Sequence, residues 1–232
     1  MQRKSFFDAI RHDPFKGHIG PKQVAGMEAI LDEWDVSGLT DLRWLAYMLA
    51  TTFHETARTM QPIREYGKAA YFKKYDGRKD LGNTVPGDGA RFKGRGFVQL
   101  TGRRNYTLAS QKLGFDLVGK PDIALLPAIA ARIMFEGMTE GWFTGRKLSH
   151  YFGAKTDWKN ARRIINGTDK AALIAGYAVS FHSALQAASI APDKADHAPE
   201  PKKPSSPVPA PPAPVKRGFW AGLWHAMFGK GE

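Results

Sequence analysis

A mainly helical domain with glycine-rich connections is what this sequence predicts, and three observations carry the expectation. Apolar residues recur at helical spacing in three long runs. Strand-like patterning is confined to one short stretch. The composition, 43% hydrophobic and 24% charged, is that of an ordinary globular chain.

Leu42, Leu45, Leu49 and Phe53 fall three and four residues apart, with Trp44, Tyr47 and Met48 filling the other faces. This predicts a buried helix from Asp41 to about Thr56, capped by Asp41 or Thr40. Similar periodicity runs through 123–135 and 171–185. Between them, Gly82 to Gly102 is dense in glycine, which predicts loops and a short hairpin around Phe97-Val98-Gln99-Leu100-Thr101. No internal repeat is visible.

The 232 residues suit one domain and an appendage. Nine of the 15 prolines lie between Pro192 and Pro214, so 1–190 is the expected folded domain and 191–215 a Pro/Ala-rich linker of extended, polyproline-like character. The tail, 216–232, places Phe219, Trp220, Leu223, Trp224, Met227 and Phe228 on one half of a helical projection, with Lys216, Arg217 and Lys230 at its ends. Two readings fit it equally: a basic amphipathic segment for an anionic membrane or outer-envelope lipid, or aromatics that dock on the main body.

Lys and Arg number 34 against 22 Asp and Glu, a net +12, and residues 1–190 keep 28 of the basic and 18 of the acidic side chains. Such a balance favours a polyanionic partner: nucleic acid, anionic lipid or an acidic cell-wall polymer. The absence of cysteine excludes disulfides, thiolate metal sites and a Cys nucleophile. The first residues are interrupted by Asp8 and Arg11 and fail as a secretory signal, so synthesis and retention in a cytoplasm are expected. No window of about 20 uninterrupted apolar residues is expected to span a bilayer.

His54-Glu55 begins like a zinc motif, but position 58 is Arg where the second His is required, so no metal is expected. The segment from Gly87 to Gly96 matches neither the dinucleotide nor the P-loop pattern. More informative are Glu55 and Glu65. On a continuous helix they would lie about 15 Å apart, but Pro62 is expected to end or bend the helix and let the chain turn back. Two carboxyls about 6.5 to 9.5 Å apart are what an inverting glycosidase uses, one as acid on the leaving oxygen and one as base on water. By spacing alone, two solvated side chains remain the alternative. Residues 89–115 hold Arg91, Lys93, Arg95, Arg103, Arg104 and Lys112 without one acid, either an attractor for an anionic polymer or a basic loop balanced by distant acids.

Phe53-His-Glu-Thr, then Gly94-Arg-Gly-Phe-Val-Gln-Leu-Thr-Gly-Arg-Arg-Asn-Tyr106, then Arg163-Ile-Ile-Asn-Gly167, in that order, resemble glycoside hydrolase family 19 over roughly residues 5 to 188. Within it, the chain looks more like the phage and prophage endolysins than the plant chitinases. The resemblance implies a bilobed, lysozyme-like helical domain around a central cleft, and inverting hydrolysis without cofactor. It implies Glu55 as general acid, Glu65 as general base and Thr101 as holder of the attacking water. It also implies Gln99, Asn105, Tyr106 and Asn166 as sugar-binding positions. Ala57-Arg58 stands where the family often has two glycines, and Phe97-Val98 where it often has Pro-Ile. Glu33, Asp76 and Asp80 remain competitors for the role given to Glu65.

Chitin is neutral and peptidoglycan carries carboxylates, so the basic body favours peptidoglycan. The expectation is a monomeric endolysin that cuts the β-1,4 bond between N-acetylmuramic acid and N-acetylglucosamine after the inner membrane is breached. A chitinase is the alternative within the class. A non-catalytic glycan binder or a basic nucleic-acid binder are the alternatives outside it, and no nucleic acid is expected as partner.

Overall fold

The structure, a computed structural model, describes residues 1–190; the expected linker 191–215 and tail 216–232 lie outside the described residues. The described residues are mainly helical. Helices α1 (Arg3–His12), α2 (Pro21–Ser37) and α3 (Leu42–Glu55) precede a two-residue strand, β1 (Ile63–Arg64). The single turns α4 (Ala69–Phe72) and α5 (Asp88–Arg91) lead to a second strand, β2 (Arg95–Gly96). Then come α6 (Arg103–Leu113), α7 (Pro127–Glu140) and α8 (Ala171–Ile190).

Helix α3 is the axis of the core. Its nine residues from Leu45 to Phe53 are all buried, the signature of a helix enclosed on every side. Asp41 caps it as expected, accepting from the Arg43 amide at 3.0 Å. α8 packs along α3 and also against α1, while α2 and α6 pack on α7. Phe53 meets Phe15, Tyr177 and Phe181 with ring centroids 4.9, 4.8 and 6.0 Å away. These edge-on contacts pin the end of α3 that carries Glu55.

Two expectations need correction. The 123–135 run is not one helix: Pro121–Leu125 forms a 3-10 turn and α7 begins afresh at Pro127, where the missing amide hydrogen costs nothing. α8 runs five residues past Leu185 and is long and apolar enough, by length and composition, to cross a bilayer. Ile174, Ala178, Phe181 and Leu185 bury one face of it in the core, while Leu173, Val179 and Ile190 stay exposed.

The turn after α3 also differs from expectation. Pro62 does not end the helix; α3 stops at Glu55. The Thr56 hydroxyl donates to the Thr52 carbonyl at 2.7 Å and accepts from the Met60 amide at 3.0 Å. Ala57, Arg58 and Met60 all take left-handed backbone conformations, φ 50°, 67° and 52°. Such strain in non-glycine residues persists only where surroundings enforce it. Here α2 enforces it, because Gly26 lies so close that a Cβ would fall 1.6 Å from the Met60 carbonyl oxygen.

The chain then returns as β1, which pairs antiparallel with β2, Ile63 opposite Gly96 and Arg64 opposite Arg95. Arg95 and Leu100 exchange both backbone hydrogen bonds, at 3.2 and 2.8 Å. The expected hairpin is therefore present as a tight loop from Arg95 to Leu100, but its strand partner is the segment that leads to Glu65.

Candidate active site

Glu55, at the last position of α3, and Glu65, the residue after β1, line one cleft of about 460 Å³. Thr101, Gln99, Asn105 and Asn166 line it with them, and Tyr75, Leu81, Val98, Phe143 and Ile165 complete the wall. A second hollow of about 770 Å³, bounded by Pro21, Lys22, Arg58, Gln61 and Ile63 among others, holds neither carboxylate. It is larger, but the convergence of acids and amides marks the first as the chemical site.

The two carboxylates are held differently. Glu55 Oε1 accepts from Arg162 Nη1 at 2.6 Å. Arg162 is itself buried, 4% exposed, in the 3-10 helix Asn160–Ile164, and its Nε donates to the Asp169 carbonyl at 3.2 Å. Glu55 Oε2 has no hydrogen-bond partner among the described residues, which leaves one oxygen fixed and one available for proton transfer. Glu65 is fixed at both oxygens. The Tyr75 hydroxyl donates to Oε1 at 2.9 Å and the Gly94 amide to Oε2 at 3.1 Å, while the Glu65 amide donates to the Gly94 carbonyl at 2.8 Å. Burial first, and then the carboxylate it faces, push the Tyr75 phenol above its ordinary pKa, so it remains a donor. Beside Glu55, burial lowers the His54 pKa and favours a neutral imidazole.

Thr101 Oγ1 donates to the Gln99 carbonyl at 2.7 Å, which orients its lone pairs for a water hydrogen. Gln99 stands at φ 54° in the tight loop, and its Nε2 donates to the Ile63 carbonyl at 3.0 Å, tying the loop to β1. Asn105 Nδ2 donates to the Thr101 carbonyl at 3.0 Å, and its Oδ1 has no partner among the described residues. That oxygen is itself buried, so it reaches a sugar only if the side chain turns toward the cleft. Asn166 is exposed two residues past the end of the 3-10 helix that carries Arg162, its Oδ1 taken up by the Gly167 amide at 2.8 Å.

Tyr106 is the exception among the expected sugar-binding positions. It is fully buried, donates to the Lys93 carbonyl and accepts from Arg95 Nη1, both at 3.0 Å. Burial pushes its phenol up to about 12. One residue beyond Asn105 on a helix, a side chain turns by about 100°, here from cleft wall to core. Its role is to support the Lys93-Gly94 backbone that holds Glu65.

Glu33, Asp76 and Asp80 are not among the residues lining the cleft. Glu33 borders a separate small cavity beside Glu136, Asp76 accepts from the Gly89 amide at 2.7 Å, and Asp80 pairs with Arg78. The basic stretch 89–115 is largely spent within the fold. Arg95 pairs with Asp122 at 2.7 Å, Arg103 with Asp88 at 2.5 Å and Lys112 with Glu140 at 2.8 Å, while Arg91 donates to the Val118 and Gly119 carbonyls. Arg162 and Tyr75, which the motifs do not single out, are the two polar residues that orient the acids.

With this geometry in place, comparison with known proteins identifies the family. The family model described as chitinase class I, glycoside hydrolase family 19, matches residues 35–167. The chain belongs to glycoside hydrolase family 19. Glu55, Glu65, Tyr75, Gln99, Thr101, Asn105, Arg162 and Asn166 all fall inside the matched span of this family 19 chain. It is 43% identical over 58 residues to an acidic 27 kDa endochitinase of Solanum lycopersicum, covering 25% of this chain and 22% of that protein. It is 33% identical over 104 residues to chitinase 8 of Oryza sativa subsp. japonica, covering 45% of this chain and 36% of that one. The alignments thus span between a fifth and two fifths of these relatives. The crystal structure of chitinase C from Streptomyces griseus HUT6037 superposes with a TM-score of 0.54 over 81% of this chain and 76% of that one. At 18% identity, this is a likeness of fold.

Proposed function

We propose that this family 19 protein hydrolyses the β-1,4 bonds of peptidoglycan, between N-acetylmuramic acid and N-acetylglucosamine, by single displacement with inversion. The observation that carries the reading is the meeting of Glu55 and Glu65 in one cleft with opposite kinds of support. Glu55, through Oε2, delivers the proton to the departing glycosidic oxygen, and the Arg162 guanidinium stabilises the carboxylate that transfer leaves behind. Glu65, oriented by Tyr75 and Gly94, takes the proton from a water that attacks the opposite face of the sugar. Thr101 accepts a hydrogen bond from that water and holds it in line. Asn105 and Asn166 supply amide groups that fit N-acetyl and hydroxyl substituents.

The net +10 of residues 1–190 favours an acidic polymer over a neutral one. A protein of this kind acts as a monomeric endolysin, made in a host cytoplasm and released onto the wall when the inner membrane is breached. A second reading, hydrolysis of chitin, is favoured by the names of the relatives, which are chitinases. Purified sacculi and chitin oligomers separate the two. The proposal expects new reducing ends from sacculi, with muramic acid at the terminus. Cleavage of chitin with intact sacculi would assign the protein to the second reading.

A further inference from the structure

Of the six cations in 89–115, Arg95, Arg103 and Lys112 are paired with carboxylates and Arg91 with backbone carbonyls, which leaves Lys93 and Arg104 without a carboxylate within ion-pair distance among the described residues. A further group of cations flanks Glu65 in sequence, from Arg64 to Lys79. There Arg64 and Arg78 are paired, with Asp122 and Asp80, but Lys68, Lys73, Lys74 and Lys79 have no carboxylate within ion-pair distance among the described residues. Of these four only Lys74 is held in place. Its ammonium lies 3.4 Å from the ring centroid of Tyr71 and 4.7 Å from that of Tyr75. A cation on two tyrosine faces is immobilised without being neutralised. Tyr75 lines the cleft, and its hydroxyl is the group on Glu65 at 2.9 Å. Lys74 remains exposed to solvent. The site is therefore an ordered, uncompensated positive charge one aromatic ring away from the base that activates water.

We propose that Lys74, seated on Tyr71 and Tyr75, is a specificity residue that pairs with a carboxylate of the glycan bound in the cleft. On a muramic-acid polymer, that carboxylate is supplied by the lactyl group or by the stem peptide attached to it. A neutral N-acetylglucosamine polymer offers it no partner. The inference rests on the peptidoglycan reading for its natural substrate, but not for its test, since any carboxylated β-1,4 glycan presents the same chemistry.

The test compares wild type, Lys74→Gln, Lys74→Arg and, as a control for net charge, Lys73→Gln. Each acts on two substrate pairs: carboxymethyl chitin against glycol chitin, and intact sacculi against sacculi whose carboxylates have been amidated. The readout is the ratio of kcat/KM on the anionic member to that on the neutral one. The expected result is a fall in that ratio of about fivefold for Lys74→Gln, the scale of one partly exposed ion pair, carried mainly by KM. Lys74→Arg and Lys73→Gln keep it. Strands stripped of peptide by an amidase identify the source: the effect persists on them for a lactyl carboxylate and disappears for a stem-peptide one. Equal losses on anionic and neutral substrates, or the same fall in Lys73→Gln, would overturn the assignment. If wild type leaves sacculi intact, the peptidoglycan reading fails while the chitin pair still decides the role of Lys74. Inactivity on both pairs would overturn both.

Discussion

Arg162 Nη1 lies 2.6 Å from Glu55 Oε1, joining residues 107 positions apart in the chain. The guanidinium is 5% and the carboxylate 17% exposed, so this is a pair in which removal of one partner strands the other in a poorly hydrated place. Arg162→Gln is accordingly expected to lower stability by about 3 kcal/mol and to lower kcat as well, because the carboxylate formed on proton transfer loses its counter-charge. Chemical denaturation and steady-state kinetics on the same preparation check this; a variant as stable and as active as wild type would show the pair to be incidental.

Tyr75 and Gly94 together orient Glu65. Tyr75→Phe removes one of these hydrogen bonds and keeps the ring that supports Lys74. The expected loss is about tenfold in kcat with little change in KM, because a misaimed base affects the step that uses water rather than the binding of sugar. A change confined to KM would place Tyr75 in substrate binding instead.

Thr101 has a direct isosteric test. Its hydroxyl already donates to the Gln99 carbonyl, so what it offers water is an acceptor. Thr101→Ser keeps that acceptor and is expected to retain most activity; Thr101→Val keeps the shape, lacks the oxygen and is expected to lose about tenfold to a hundredfold in kcat. Comparable activity in both variants would remove Thr101 from the mechanism.

Much of the scaffold around these groups is legible in sequence, for identifiable reasons. α3 is readable because one helix carries its own cap, Asp41, and nine consecutive buried residues. The meeting of Glu55 and Glu65 is readable only in outline. The reversal between them is made by Thr56 and by left-handed Ala57, Arg58 and Met60 pressed against Gly26 of α2, a tertiary constraint with no local pattern, and Pro62 draws attention away from it. Arg162 is invisible to spacing because its partner is a hundred residues distant; the one local hint is a second arginine placed before the apolar Ile164-Ile165. Tyr106 misleads because adjacent helical residues in one motif point to different environments, Asn105 to the cleft and Tyr106 to the core.

The same turn gives a stability prediction. A methyl group at Gly26 would collide with the Met60 carbonyl, so Gly26→Ala must displace either α2 or the turn behind Glu55. The expected cost is about 3 kcal/mol, with reduced kcat in the fraction that folds. A thermal melt unchanged from wild type would mean the two segments separate easily.

Acid sensitivity has a defined source in Asp88. The Arg103 guanidinium, reinforced by the Val85 and Thr84 amides, holds this buried carboxyl below the usual range. A carboxyl depressed in the folded state contributes in full above its unfolded value of about 3.9. That contribution is lost as pH falls through the folded pKa. Urea midpoints at pH 6 and pH 3 should therefore converge in Asp88→Asn relative to wild type. An equally steep acid loss in the variant would place its origin in other groups.

The stereochemistry of the first product tests the two-carboxylate mechanism most directly. Proton NMR of freshly cleaved substrate, read before mutarotation, is expected to show the α-anomer at the new reducing end, with Glu55→Gln slowed by about a hundredfold or more. A β-anomer, or a Glu55→Gln variant as fast as wild type, would contradict the assignment of Glu55 and Glu65 as acid and base.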